Sequence, residues 1–326
     1  MRKILLATTA LVAAGGISAA SADISISGSS SFTYVNQSVQ GAGEKDAEER
    51  DMSTEVDFSI KATSMLDNGM VASGQIDIHE DSPSVIDDSG FTLSGDFGTF
   101  GFGGLANDAH GKIETDITAD EGTTISDTTY GIKEVTDSYV PHSDVSYTSN
   151  NIAGFQFALG MSDGGATGSD TDAPEEADKD GTQFGVTYSF DLGENMSATL
   201  GYNKHSVGTD TGDASSTGAS VTFGDLNVKV ASHTLAHDEK TGDITSTTIG
   251  ASYAVSDALS LQAYTGSAEA SANADYDVSD TAYGLTYTIT PGLSVSVTHN
   301  SYSAENGTPD DAVEGDRTAL ALDVSF

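Results

Sequence analysis

The chain has 326 residues, with 50 acidic against 12 basic side chains and a net charge of −38. A charge of that size repels polyanions, which argues against nucleic acid and anionic membrane surfaces as partners and favours cations. The absence of cysteine excludes disulfides, thiolate metal sites and a cysteine nucleophile.

The first segment holds Met1, Arg2 and Lys3, an apolar run from Ile4 to Ile17, and Ala20-Ser21-Ala22 before Asp23. A basic start, an apolar run too short to span a bilayer as a helix and a small-x-small triplet predict a secretory signal peptide over residues 1–22, removed after Ala22. Its loss takes Arg2 and Lys3 from the 12 basic residues and leaves 10 against 50 acids, a charge of −40. After residue 22 no stretch approaches the roughly 18 apolar residues of a membrane helix. A mature chain lodged in a membrane therefore has to be a barrel.

From residue 23 to 326 the pattern is that of one all-β domain, alternating with period two. Between Asp51 and Ser64 the even positions are Met52, Thr54, Val56, Phe58, Ile60 and Ala62, and polar side chains fill most of the odd ones. The dyad returns in Phe155, Phe157, Leu159, Met161, then in Phe184, Val186, Tyr188, Phe190, and in Met196, Ala198, Leu200, Tyr202. It continues in Tyr283, Leu285, Tyr287, Ile289, in Leu293, Val295, Val297, and in Leu320, Leu322, Val324, Phe326. Such segments number sixteen. Each is expected to run about 8 to 12 residues, close to the roughly 9–11 of a tilted membrane strand.

Connections alternate in length. Asp67-Asn68-Gly69, Asp96-Phe97-Gly98, Asn150-Asn151, Leu192-Gly193-Glu194, Gly224-Asp225, Val255 to Ala258 and Pro291-Gly292 read as short hairpin turns. Long polar loops are expected near residues 40–50, 80–90, 105–143, 163–181, 205–216, 235–244, 266–279 and 301–316. With short turns at one end and long loops at the other, the asymmetry is that of an outer-membrane barrel. Alternation alone does not say which face meets water. The polar face carries Glu55, Asp57, Lys61, Gln75, Asp77, His79, Gln156, Gln183, Lys229, Gln262 and Asp323, too many to pair in a dry core. That face is expected to line a water-filled lumen.

Leu93-Ser94-Gly95-Asp96-Phe97-Gly98 ahead of a long third loop, the stretch Tyr147 to Asp163 with Gly154-Phe155 and Met161-Ser162-Asp163, and the terminal Leu320 to Phe326 together resemble the sixteen-stranded general-diffusion porins of Gram-negative bacteria. The likeness is greatest to the alphaproteobacterial, purple-bacterial type. It implies export to the outer membrane, contact with lipid and lipopolysaccharide, a homotrimer, and Phe326 as the signal read by the barrel-assembly machinery.

The resemblance also implies that loop 105–143 folds into the lumen as a constriction. Its carboxylates are Asp108, Glu114, Asp116, Asp120, Glu121 and Asp127, against Lys112, Lys133 and His110. In confined water these acids enrich cations. Porins of this kind oppose the acidic loop with arginines on the wall, and here the sequence departs. The wall candidates are Glu55, Asp57, Lys61, Asp77, His79, Lys229 and Arg317, the last expected near the outer rim.

The loop from Asp163 to Gly181 is acidic enough for weak Ca²⁺ binding at Asp170, Asp172, Glu175 and Glu176, although it matches no EF-hand spacing. No other cofactor is required. Gly101-Phe102-Gly103-Gly104-Leu105-Ala106 fits a dinucleotide fingerprint only superficially, since no βαβ unit surrounds it. Its glycines are better read as relieving crowding at the wall. His233 and His237 lack a metalloprotease context, and no nucleophile, base and orienting acid come together. The expected function is a non-enzymatic diffusion pore with weak cation preference for ions and small hydrophilic solutes. A substrate-specific channel and a secreted acidic calcium-binding surface protein are the alternatives.

Overall fold

The computed structural model describes residues 23–41, 44–79, 89–106, 143–163, 180–193, 195–207, 213–236, 242–272, 276–306 and 313–326. Sixteen strands make up the sheet: β1 Asp23–Gly41, β2 Glu44–Met65, β3 Val71–His79, β4 Ser89–Gly95, β5 Gly98–Gly103, β6 Val145–Thr148, β7 Phe155–Asp163 and β8 Asp180–Gly193 form the first half. The second half is β9 Met196–Val207, β10 Ala214–Phe223, β11 Leu226–Leu235, β12 Ile244–Ser256, β13 Leu259–Ala270, β14 Tyr276–Thr290, β15 Leu293–Asn306 and β16 Val313–Ser325.

Every strand pairs antiparallel with its sequence neighbours, and β1 pairs with β16, so the sheet closes on itself and has no free edge. Closure satisfies the backbone without helices. Among the described residues no helix is long and apolar enough to cross a membrane. The seal is continued past the last strand by Phe326, whose backbone exchanges two hydrogen bonds with Gly28 at 2.8 and 2.9 Å. The Phe326 ring lies over Gly28 and meets Phe58 edge-on at 5.7 Å.

Register carries the dyads around the barrel. Ile26 faces Ile60, which faces Ile76; Phe91 faces Phe102; Phe100 faces Tyr147, which faces Leu159; Val297 faces Leu320, which faces Tyr34. These apolar side chains lie on the outside and are exposed, Ile26 at 69% and Met161 at 63% among them. A continuous apolar belt of this extent on a closed sheet is a lipid-facing surface. It counts against a water-soluble calcium-binding surface protein.

The opposite face is buried and polar, with Thr33, Ser146, Thr148, Gln183, Asn203, His205, Thr248, Ser296, Thr298 and Asn300 all pointing inward. Turn residues hold the short connections. The Asn150 amide donates to the carbonyl oxygens of Gly95 and Asp96, and the Tyr147 hydroxyl donates to the carbonyl of Phe97 at 2.6 Å, tying the β4–β5 turn to the β6–β7 turn.

Strand lengths differ from the expected 8–12 residues: β1 has 19, β2 has 22 and β6 only 4. The loops expected near 40–50, 266–279 and 301–316 are in large part strand, because β2, β13, β14, β15 and β16 extend through them. In that extension the polarity reverses. On β14 the outward side chains become Thr281, Ser279 and Asp277, while Val278 turns inward with Ala268, Ala304 and Ile244 as a buried apolar cluster. These strand ends follow the rule of a soluble sheet, apolar inside and polar outside.

Candidate pore and its lining

The inner face is built from alternate residues of strands fixed in register, so each lining side chain has a set height and a set neighbour. Register places Glu55, Asp57 and Lys61 of β2, Asp77 and His79 of β3, Lys229 of β11 and Arg317 of β16 all on this face. The six loop carboxylates Asp108, Glu114, Asp116, Asp120, Glu121 and Asp127, the calcium candidates Asp170, Asp172, Glu175 and Glu176, and His237 lie outside the described residues.

The charged groups are unevenly shared. One arc, β16–β1–β2–β3, brings together Asp323, Glu55, Asp57 and Asp77, with Lys61 and His79 beside them and Ser29 and Ser31 between. Asp57 and His79 are direct cross-strand partners, with His79 Nδ1 3.3 Å from Asp57 Oδ1. Asp77 accepts a 2.8 Å hydrogen bond from the Gln75 amide. Carboxylates outnumber fixed cations here, and confined water strengthens their field.

The other arc, β11–β15, is nearly uncharged on its inner face. Lys229 is followed along β11 by Ala231, then His233, whose Nδ1 lies 2.6 Å from the Ser216 hydroxyl, and then Leu235. His233 is thus a strand residue on the inner face, two residues before the end of β11. On β16, in the first arc, Arg317 faces inward, 7% exposed and level with Asn300 and Gln37. Asp280, 2% exposed, sits opposite Gly266 and Tyr302 and was missed in the sequence. Its place two residues before Ala282 and three before the outward Tyr283 marks it as inward, once the strand is known to reach that far.

Both ends of the stretch 107–142 lie against the inner face. Gly103, with φ of 64°, turns the chain inward after β5, a conformation an L side chain adopts only with strain. Leu105 and Ala106 then cover the inward positions Gly90 and Gly101, where a Cβ would collide with the Leu105 backbone. On return, the Ser143 side chain covers Gly160 on the inward face of β7, again where a Cβ would collide. Gly101 and Gly103 therefore serve close backbone approach.

Comparison with known proteins agrees with this architecture. The Gram-negative porin family profile matches residues 7–307. No curated protein matches the sequence. Among solved structures, the outer-membrane expressed OmpT of Vibrio cholerae is similar with a TM-score of 0.65 at 14% identity, covering 95% of this chain and 99% of its own. An anion-selective porin from Comamonas acidovorans gives a TM-score of 0.65 at 16% identity, covering 94% of this chain and 100% of its own. A triple mutant of Rh. blastica porin gives 0.58 at 16% identity, covering 93% and 100%. With the family profile over nearly the whole chain, a closed barrel with a lipid-facing exterior and a polar interior, the chain belongs to the Gram-negative porins, channel proteins of the outer membrane.

Proposed function

We propose that this porin is a general-diffusion pore for ions and small hydrophilic solutes, with a modest preference for cations. The observation that carries this reading is the acidic arc, where Asp323, Glu55, Asp57 and Asp77 face the lumen and outnumber the fixed cations Lys61 and Arg317 described beside them. Fixed charge on a pore wall raises the local concentration of the opposite ion and so biases flux. The similar Comamonas protein is described as anion-selective. An acidic wall is the opposite design on the same barrel.

The stretch 105–143 is proposed to fold into the lumen and narrow it. Support comes from the described flanks: Leu105, Ala106 and Ser143 already lie on the inner face. If the six acids between them line the constriction, they add to the same cation bias. A homotrimer is proposed as the assembly, since one of the similar structures, OmpT of Vibrio cholerae, is described in a trimer form. Phe326 is proposed as the recognition point for barrel assembly, and loop acids Asp170, Asp172, Glu175 and Glu176 as a weak Ca²⁺ contact to lipopolysaccharide.

Liposome swelling tests the diffusion reading. Uptake of uncharged sugars should fall smoothly with solute size and show no saturation. Saturable uptake of one solute would instead show a substrate-specific channel.

A further inference from the structure

We propose that Glu55, Asp57 and His79 form a binding site for a transition-metal cation of the Zn²⁺ class on the pore wall, and that an ion seated there restricts flow through the lumen. The three side chains come from two adjacent strands and face the same water-filled space. Each offers one ligand atom, and the three atoms lie within 4.8 Å of one another. Register makes this a built arrangement: Asp57 and His79 are cross-strand partners, and Glu55 lies one inward step along β2 from Asp57. Diagonal neighbours on one sheet face are within reach of long side chains.

The contact between His79 and Asp57 has the geometry of two ligands more than that of a hydrogen-bonded pair. Nδ1 and Oδ1 approach to 3.3 Å, yet Oδ1 is buried and accepts no hydrogen bond. Two donors on a common tetrahedral ion at about 2.0–2.2 Å stand roughly 3.3 Å apart, the edge of the tetrahedron. Glu55, whose ligand atom lies within 4.8 Å of the other two, would supply the third vertex, and the fourth is left to lumen water, as in open zinc sites. Asp77 is taken up by Gln75 and is not needed.

The donor set decides the metal class. One imidazole and two carboxylates suit Zn²⁺ and its first-row neighbours, whereas Ca²⁺ prefers six to eight oxygens. The surrounding acidic arc concentrates divalent cations at the site. An ion bound there adds positive charge where the wall is most negative, so both conductance and cation preference should fall.

The inference rests on the inner face being a conducting lumen only for its electrical readout; binding itself is measured separately. Purified full-length protein in detergent is titrated with ZnCl₂ and, in parallel, with CaCl₂ by calorimetry. The same preparation is reconstituted in planar bilayers and recorded with EDTA and then with micromolar ZnCl₂. The expected result is one Zn²⁺ site per chain, not competed by equal Ca²⁺, with a drop in single-channel conductance on adding Zn²⁺.

His79→Ala and Asp57→Asn should each weaken Zn²⁺ binding at least about tenfold, each variant being compared with itself in EDTA, and far-UV circular dichroism shows that each keeps its strand content. No Zn²⁺ binding by calorimetry, equal effects of Zn²⁺ and Ca²⁺, or unchanged Zn²⁺ affinity in folded His79→Ala would overturn the site. A chain that binds Zn²⁺ through His79 and shows no conductance in EDTA would leave the site standing and overturn the pore reading instead.

Discussion

The two arcs of the inner wall are built on one backbone plan and do opposite things. From β16 to β3 the inward positions carry Asp323, Glu55, Asp57 and Asp77 together with Lys61 and Arg317, and the wall is charged. From β11 to β15 the inward positions at the loop end carry Leu235, Ile244, Ala268, Val278 and Ala304, all nearly fully buried. The hydrogen-bonded ladder is the same in both. What differs is only which side chain the period-two pleat turns inward, so a barrel can place a charged arc and a packed apolar patch side by side on one inner wall.

The comparison can be broken at several points, beginning with its outer frame. Leu322 lies in the middle of the lipid-facing run Leu320 to Phe326. Leu322→Arg should destabilise the folded barrel by about 2–4 kcal/mol, read from urea unfolding in lipid vesicles. Inside, Val278 is 2% exposed within the apolar cluster. Val278→Asp should cost about 2–3 kcal/mol for an unpaired polar group among apolar neighbours. Ser29→Asp, on the charged arc, should cost far less in the same assay, because that position faces water.

A third test concerns the entry of the loop. Gly101→Val places side-chain atoms where the Leu105 backbone lies, at a cost of about 1–3 kcal/mol. If Leu105 is displaced from the inner face, single-channel conductance should rise. The smallest effect is on selectivity: Glu55→Gln, Asp57→Asn and Asp77→Asn together should lower the ratio of potassium to chloride permeability about twofold, with little change in stability.

Much of this was legible in the sequence where lipid imposes a simple rule. Phe155 to Met161, Phe184 to Phe190 and Leu320 to Phe326 alternate because each outward side chain must be apolar, and those strands appear where expected. Beyond the lipid belt the rule lapses. Asp277, Ser279, Thr281, Ser301 and Ser303 point outward while Val278, Ala282, Tyr302 and Ala304 join Asp280 on the inside, so the greasy dyad is inverted and the segments read as loop, although the ladder runs on.

Candidate site residues show the same division. Parity along β2 and β3 marked Glu55, Asp57, Asp77 and His79 as a set, each on the inward face. That Asp57 meets His79 was not legible, because cross-strand register depends on turn geometry between Met65 and Val71, which side-chain pattern alone does not specify. Arg317 was expected on the wall at the start of β16; the strand starts four residues earlier, at Val313.

The central claim is that a fixed negative arc biases a water-filled pore toward cations. Reversal potential in planar bilayers under a tenfold KCl gradient tests it most directly, comparing the natural chain with the Glu55→Gln, Asp57→Asn, Asp77→Asn variant in EDTA. The account predicts stepwise conductance, a potential of the sign for potassium preference, and a shift toward zero in the variant. A chloride preference in the natural chain, or a variant with unchanged potential, would contradict it.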